Sequence, residues 1–142
     1  TLISEKTGQY SKIILKQLEE EPNNPRYSYQ AARMFLGRND FSNALKYFEK
    51  TAKLNPNSKL VFSEIAKIYL QMNDNNRAIE YFKKSMIQNP DNPSPANNLA
   101  VVYMSMGKFK QAKKILEEQL KKHPDNRALK YNYEKVFESL KE

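Results

Sequence analysis

The chain has 142 residues, 39% of them apolar and 28% charged, which suffices to bury one continuous core and leaves no room for a second domain. It contains no cysteine, so disulfides and thiolate metal sites are excluded and the redox compartment cannot be inferred. Its 24 Lys and Arg outnumber its 16 Asp and Glu to give a net charge of +8, a balance that attracts acidic partners at long range without naming one.

Residues 10–20 read as a helix, because Ile13, Ile14 and Leu18 share a face before Glu19, Glu20, Glu21 and Pro22 end it. Nothing precedes this helix as a mate, and the chain opens at Thr1 without an initiator methionine. A fragment of a longer protein and a processed intact one are both compatible with that. Paired helices are then expected at 25–37 and 41–54, at 59–72 and 76–88, and at 94–106 and 109–122, with a last helix at 127–140. The second pair shows the grammar. Apolar residues at Val61, Phe62, Ile65, Ala66, Ile68, Tyr69 and Leu70 form a helical face rather than a strand alternation. Asn57 and Ser58 stand before it as cap candidates, and Asn73, Asp74 and Asn75 break it. Asp91, Asn92 and Pro93, and later Asp125 and Asn126, offer the same start signal. In the last helix Tyr133, Val136, Phe137 and Leu140 are expected inward. Lys130, Glu134, Lys135, Glu138, Lys141 and Glu142 give it the polar back of a cap. The longest apolar run, 99–104, is far too short to span a bilayer, and no signal peptide is evident.

These helices repeat in phase. Proline returns every 34 residues, at Pro22, Pro56, Pro90 and Pro124. Small residues keep one register (Ala32, Ala66, Ala100) and aromatics another (Phe35, Tyr69, Tyr103, Phe137). Ala44, Ala78 and Ala112 form a third, and Phe48, Phe82 and Leu116 a fourth. Alanine lets paired helices approach closely, and the large residue fills the space beside the contact. A helix-turn-helix unit of about 34 residues with this pattern resembles the tetratricopeptide repeat (TPR) family. The repeats run 25–58, 59–92 and 93–126. The pattern departs from the family at the fourth position, with Ser28, Phe62 and Ala96, and at the twenty-seventh, with Thr51, Ser85 and Gln119. Gln119 implies an atypical neighbour for the third repeat's second helix. The resemblance implies an all-α fold, a right-handed α-α superhelix or solenoid of about three such repeats. It would form a single domain over 1–142, with a partial repeat at 1–22 and a capping helix at 127–142.

Catalysis finds little support. The one histidine, His123, follows Lys121 and Lys122 and precedes Pro124, and is expected to be solvated. Gly8, Gly37 and Gly107 are isolated, so no phosphate-cradling loop exists. Glu19, Glu20 and Glu21 read as a helix end, and the serines lack a base. No catalytic, cofactor or metal residues are assigned, and the chain is not expected to be an enzyme.

The resemblance implies a binding role for the first helix of each pair, whose positions two, five, nine and twelve face a concave groove that holds an extended peptide or partner segment. The groove residues are then Arg26, Tyr29 and Arg33, followed by Ser63 and Lys67, then Asn97, Val101 and Met104, and finally Tyr131 and Lys135, with Leu36, Leu60, Leu70, Ser94, Ala128 and Glu138 beside them. Arg and Tyr are favoured at binding hot spots. The partner is expected to be a protein or peptide, and an acidic one fits the basic charge balance. The TPR proteins that clamp a chaperone's C-terminal carboxylate carry a Lys, Asn and Arg set that Tyr29, Arg33, Lys67, Asn97 and Val101 do not reproduce. Two alternatives stand beside the scaffold. One is a non-catalytic module of a larger enzyme, since the run 22–33 is similar to segments of repeat regions attached to family-2 glycosyltransferases. The other is an RNA-contacting repeat, for which only Tyr29 and Tyr131 offer stacking surfaces. The lysines concentrate on second helices, expected on the convex side as a solvated face, which disfavours nucleic acid. A cytoplasmic location is the expectation.

Overall fold

The structure is a computed structural model that describes residues 2–141, the side chain of Ile3 excepted. Thr1 and Glu142, on which the readings of the chain's start and last acidic residue fall, lie outside the described residues. The described residues form eight helices and no strand: α1 (Leu2–Glu20), α2 (Pro25–Gly37), α3 (Phe41–Leu54), α4 (Val61–Gln71), α5 (Asn75–Gln88), α6 (Ser94–Ser105), α7 (Phe109–Lys122) and α8 (Arg127–Lys141). The chain is an all-α helical repeat, and its contacts divide it into two compact units, 1–68 and 69–142. No described helix is long and apolar enough to cross a membrane.

Two helix starts differ from expectation by more than one residue. α1 begins at Leu2 rather than near residue 10, because nothing in 2–9 stops a helix and Glu5 in its first turn suits the positive end of the dipole. α4 begins at Val61 rather than 59. The residues before it are taken up by a turn in which Ser58 N–H donates to the Asn55 carbonyl at 3.1 Å.

The turns inside the helix pairs share one geometry. Asn39, Asn73 and Gly107 occupy the same phase of the repeat, and all three are left-handed, at φ of 57°, 59° and 73°. Asn tolerates this region better than other side chains, and Gly lacks the Cβ that opposes it. The next residue's N–H then returns to the carbonyl of the register aromatic: Asp40 to Phe35 at 3.0 Å, Asp74 to Tyr69 at 2.9 Å and Lys108 to Tyr103 at 2.8 Å. The caps that follow are unequal. Asp40 accepts from the Asn43 backbone at 3.2 Å and Asp74 from the Arg77 backbone at 3.1 Å, whereas Lys108 makes no side-chain cap. The Asn43 side-chain amide, at 2.7 Å, and then its backbone N–H hold the Asp40 carboxyl below its ordinary pKa.

In the first unit Ile14 and Leu18 of α1 pack on Ala31 of α2, with Tyr27, Met34 and Tyr47 against them. Ala32, Ala44, Phe48 and Ala66 are fully buried. The departures at Ser28 and Thr51 form a matched pair: the two hydroxyls lie 2.8 Å apart in the core, and whichever one donates across the pair leaves the other to donate to its own backbone acceptor, the Pro25 or the Tyr47 carbonyl. A buried polar atom is tolerated when it is bonded, and these two are.

In the second unit Ala78, Phe82, Leu99, Ala100, Ala112, Leu116, Leu129 and Val136 form the core. Ser85 and Gln119 are also buried, with Ser85 Oγ and Gln119 Oε1 lacking a hydrogen-bond partner. Rings stack at one repeat phase in both units, Phe35 with Tyr47 at 5.5 Å and Tyr69 with Tyr81 at 5.6 Å. On α8 the expectation needs correction. Val136 is buried, but Phe137 is 43% and Leu140 38% exposed. The helix buries the line through Leu129 and Val136, which leaves Tyr133 and Phe137 stacked together on its flank at 6.4 Å.

Candidate functional site

The expected groove residues fall in both compact units. In the first, α2 carries Arg33 and α4 carries Lys67, and the two cations converge on one carboxylate. Arg33 Nη1 lies 3.2 Å from Glu64 Oε2, and Lys67 Nζ lies 3.7 Å from Glu64 Oε1. Both cations are half exposed, at 55% and 52%, while the Glu64 side chain is only 16% exposed. Each carboxylate oxygen therefore takes one cation, and most of the donors on Arg33 and Lys67 remain available to solvent. Arg26 stands exposed in the first turn of α2, whose N-cap Asn24 accepts the Arg26 backbone N–H at 3.0 Å. Tyr29 is half-buried, its ring edge-on to Phe48 at 5.7 Å, so part of its surface is spent on the core. Ser63 is half-buried and its hydroxyl donates to the Leu60 carbonyl at 3.0 Å.

Glu64 was missed in the sequence because it lies outside the four inward positions. Its only sequence signal is the three-residue spacing to Lys67, which places both on one helical flank.

In the second unit a cleft of about 540 Å³ is lined by Met104 of α6 and by Tyr131, Glu134, Lys135, Glu138 and Ser139 of α8. The fold thus brings four residues expected at the groove, Met104, Tyr131, Lys135 and Glu138, to one cleft. Lys135 Nζ lies 4.7 Å from the Tyr131 ring centroid, a cation–π contact that orients both. Tyr131 is 57% and Val101 44% exposed. Asn97 is half-buried, and its side-chain oxygen accepts from Asn132 at 2.8 Å, which ties α6 to α8. The sequence did not show that Glu134 would line the cleft. Glu134 occupies the phase filled by Ala32, Ala66 and Ala100 in the repeats, and there it is exposed.

His123 departs from its expected solvation. It is half-buried at the end of α7, and its Nε2 is buried without a hydrogen-bond partner. Among the described residues no group of three or more His, Cys, Asp or Glu could hold a metal ion.

Comparison with known proteins agrees with the repeat geometry. Family models described as tetratricopeptide repeat match residues 29–93 and 69–131, which together span more than two thirds of the chain. No curated protein matches the sequence. Among solved structures the chain is similar to MamA, with a TM-score of 0.76 at 16% identity over 98% of this chain and 91% of that one. It is also similar to the TPR domain of Arabidopsis OM64, with a TM-score of 0.69 at 15% identity over 80% of this chain and 94% of that one. A third similar structure is the first TPR of Spaghetti (RPAP3) bound to the HSP90 peptide SRMEEVD, with a TM-score of 0.72 at 14% identity over 83% of this chain and 96% of that one. At these identities the structures speak to fold alone, but with the repeat registers and the two family matches they agree that the chain belongs to the tetratricopeptide repeat family.

Proposed function

We propose that this chain is a protein-interaction module that holds an extended, carboxylate-bearing segment of a partner against the exposed faces of α2 and α4. The observation that carries the reading is the convergence of Arg33 and Lys67. Two half-exposed cations from different helices already meet on one carboxylate, that of Glu64, which supports their holding an anion in common. Arg26 adds positive charge on α2, and the whole chain's +8 steers an acidic segment toward it. Within the second unit, Met104 and Tyr131 give the cleft an apolar contact surface for a partner side chain, with Glu134, Lys135, Glu138 and Ser139 also lining it. In the proposed division into repeats 25–58, 59–92 and 93–126, Arg33, Lys67 and Met104 lie on first helices, while the rest of the cleft comes from α8 beyond the third repeat.

The similar Spaghetti (RPAP3) structure holds an acidic peptide, which supports a peptide-binding role for this fold. Tyr29, Arg33, Lys67, Asn97 and Val101 stand in place of the chaperone-tail clamp, so the partner is of a different kind. Fluorescence anisotropy with labelled hexaglutamate and hexalysine peptides tests the reading. Hexaglutamate is expected to bind with an affinity that falls as salt rises, and hexalysine to bind much less. Equal or stronger binding of hexalysine would contradict it.

A further inference from the structure

Glu64 is the one anion seated between the two cations, and its position gives it a second role. It is largely shielded from solvent, each of its oxygens faces one cation, and it is held on the same helix as Lys67, three residues away. We infer that Glu64 is an internal competitor that sets how acidic a partner must be to bind. This rests on the reading above, in which Arg33 and Lys67 hold a partner carboxylate.

The charge count carries the inference. Arg33, Lys67 and Glu64 together present a net charge of +1, where the two cations alone would present +2. An incoming carboxylate approaches the positions Glu64 oxygens already occupy at 3.2 and 3.7 Å, so it either displaces that carboxylate from one cation or settles beside it against like-charge repulsion. A single carboxylate gains little from such an exchange, because one ion pair is traded for another. A segment with several acidic groups gains, because its remaining charges reach donors of Arg33 that Glu64 leaves open. Glu64 therefore favours multiply acidic segments over isolated carboxylates. It also neutralises the cation pair when no partner is present, which suppresses weak binding of stray anions.

The test compares the intact chain with Glu64→Gln, which keeps the shape and removes the charge, and with Glu64→Ala as a second variant should the glutamine find a new hydrogen bond. The probes are labelled hexaglutamate and a labelled peptide of one glutamate among glycine and serine. Both variants are expected to bind hexaglutamate about fivefold more tightly, with a steeper fall in affinity with salt. The gain should be larger for the singly acidic peptide, which narrows the discrimination between the two probes. Unchanged or weaker binding in both variants, with the parent chain binding hexaglutamate, would overturn the competitor role and leave the carboxylate-binding reading in place. Absence of hexaglutamate binding by the parent and both variants would overturn the reading itself, and the inference with it.

Discussion

Replacing Lys108 by aspartate should stabilise the protein. The three turn geometries coincide up to this position: Asn39, Asn73 and Gly107 are all left-handed, and the following N–H returns to the register aromatic each time. In two of the three, an aspartate then accepts a first-turn backbone N–H, at 3.2 Å for Asp40 and 3.1 Å for Asp74. Lys108 stands at the same point with no side-chain acceptor, beside the positive end of the α7 dipole. Lys108→Asp would place a carboxylate within reach of the Gln111 N–H. Restoring a cap is worth about 1 kcal/mol, and exchanging an unfavourable cation for a favourable anion at a helix N-terminus adds roughly 0.3–1 kcal/mol. For 142 residues an unfolding entropy of roughly 0.3 kcal/mol per kelvin turns that gain into a rise in Tm of about 4–7 °C. Thermal denaturation followed by circular dichroism at low salt reads it directly, with Asp74→Ala as the opposite control, expected to lower Tm. Lys108→Asp with an unchanged or lower Tm, alongside an Asp74→Ala that does lower it, would refute the claim that the third turn is the same device missing its cap.

Ala66→Leu should cost about 1–3 kcal/mol by forcing methylenes into a fully buried site, read as a fall in the denaturation midpoint. An unchanged midpoint would mean that Ala66 does not sit at a close helix contact. Ser28→Ala and Thr51→Val should each cost about 1 kcal/mol, while the double variant should cost clearly less than their sum, because the expensive state is one buried hydroxyl without its mate. Strict additivity in a double-mutant cycle would show that the 2.8 Å contact between them carries no coupling.

The all-α repeat was legible because its signals are local and redundant. Ala32, Ala66, Ala100, Ala44, Ala78 and Ala112 are all buried without remainder, as a close-packing register demands. The starts expected at 25 and 41 coincide with those of α2 and α3, where Asn24 and Asp40 form side-chain caps. What escaped depends on contacts distant in sequence or on neighbours of specific shape. Ser28 and Thr51 look like two separate lapses from a pattern until they are seen bonded across 23 residues. Phe137 follows the aromatic register by spacing yet stays 43% exposed, because no later helix covers that face among the described residues. The candidate site shows the same division. Arg33 and Lys67 could be nominated from repeat phase, whereas Glu64, which changes what they would bind, is joined to Arg33 across 31 residues and gives no phase signal.

The central claim is that Arg33 and Lys67 form the anchor for an acidic segment, and the most direct measurement is hexaglutamate affinity in the double charge reversal Arg33→Glu with Lys67→Glu. A matched control, Lys46→Glu with Lys53→Glu on α3, changes the net charge by the same amount away from the site. The account predicts loss of at least tenfold in affinity for the first pair, little change for the control, and a Tm within a few degrees of the parent for both, since exposed charges contribute about 0.5 kcal/mol or less per site. Equal losses from the two pairs would show that hexaglutamate senses only total charge, and binding that survives reversal of Arg33 and Lys67 in a folded protein would contradict the site outright.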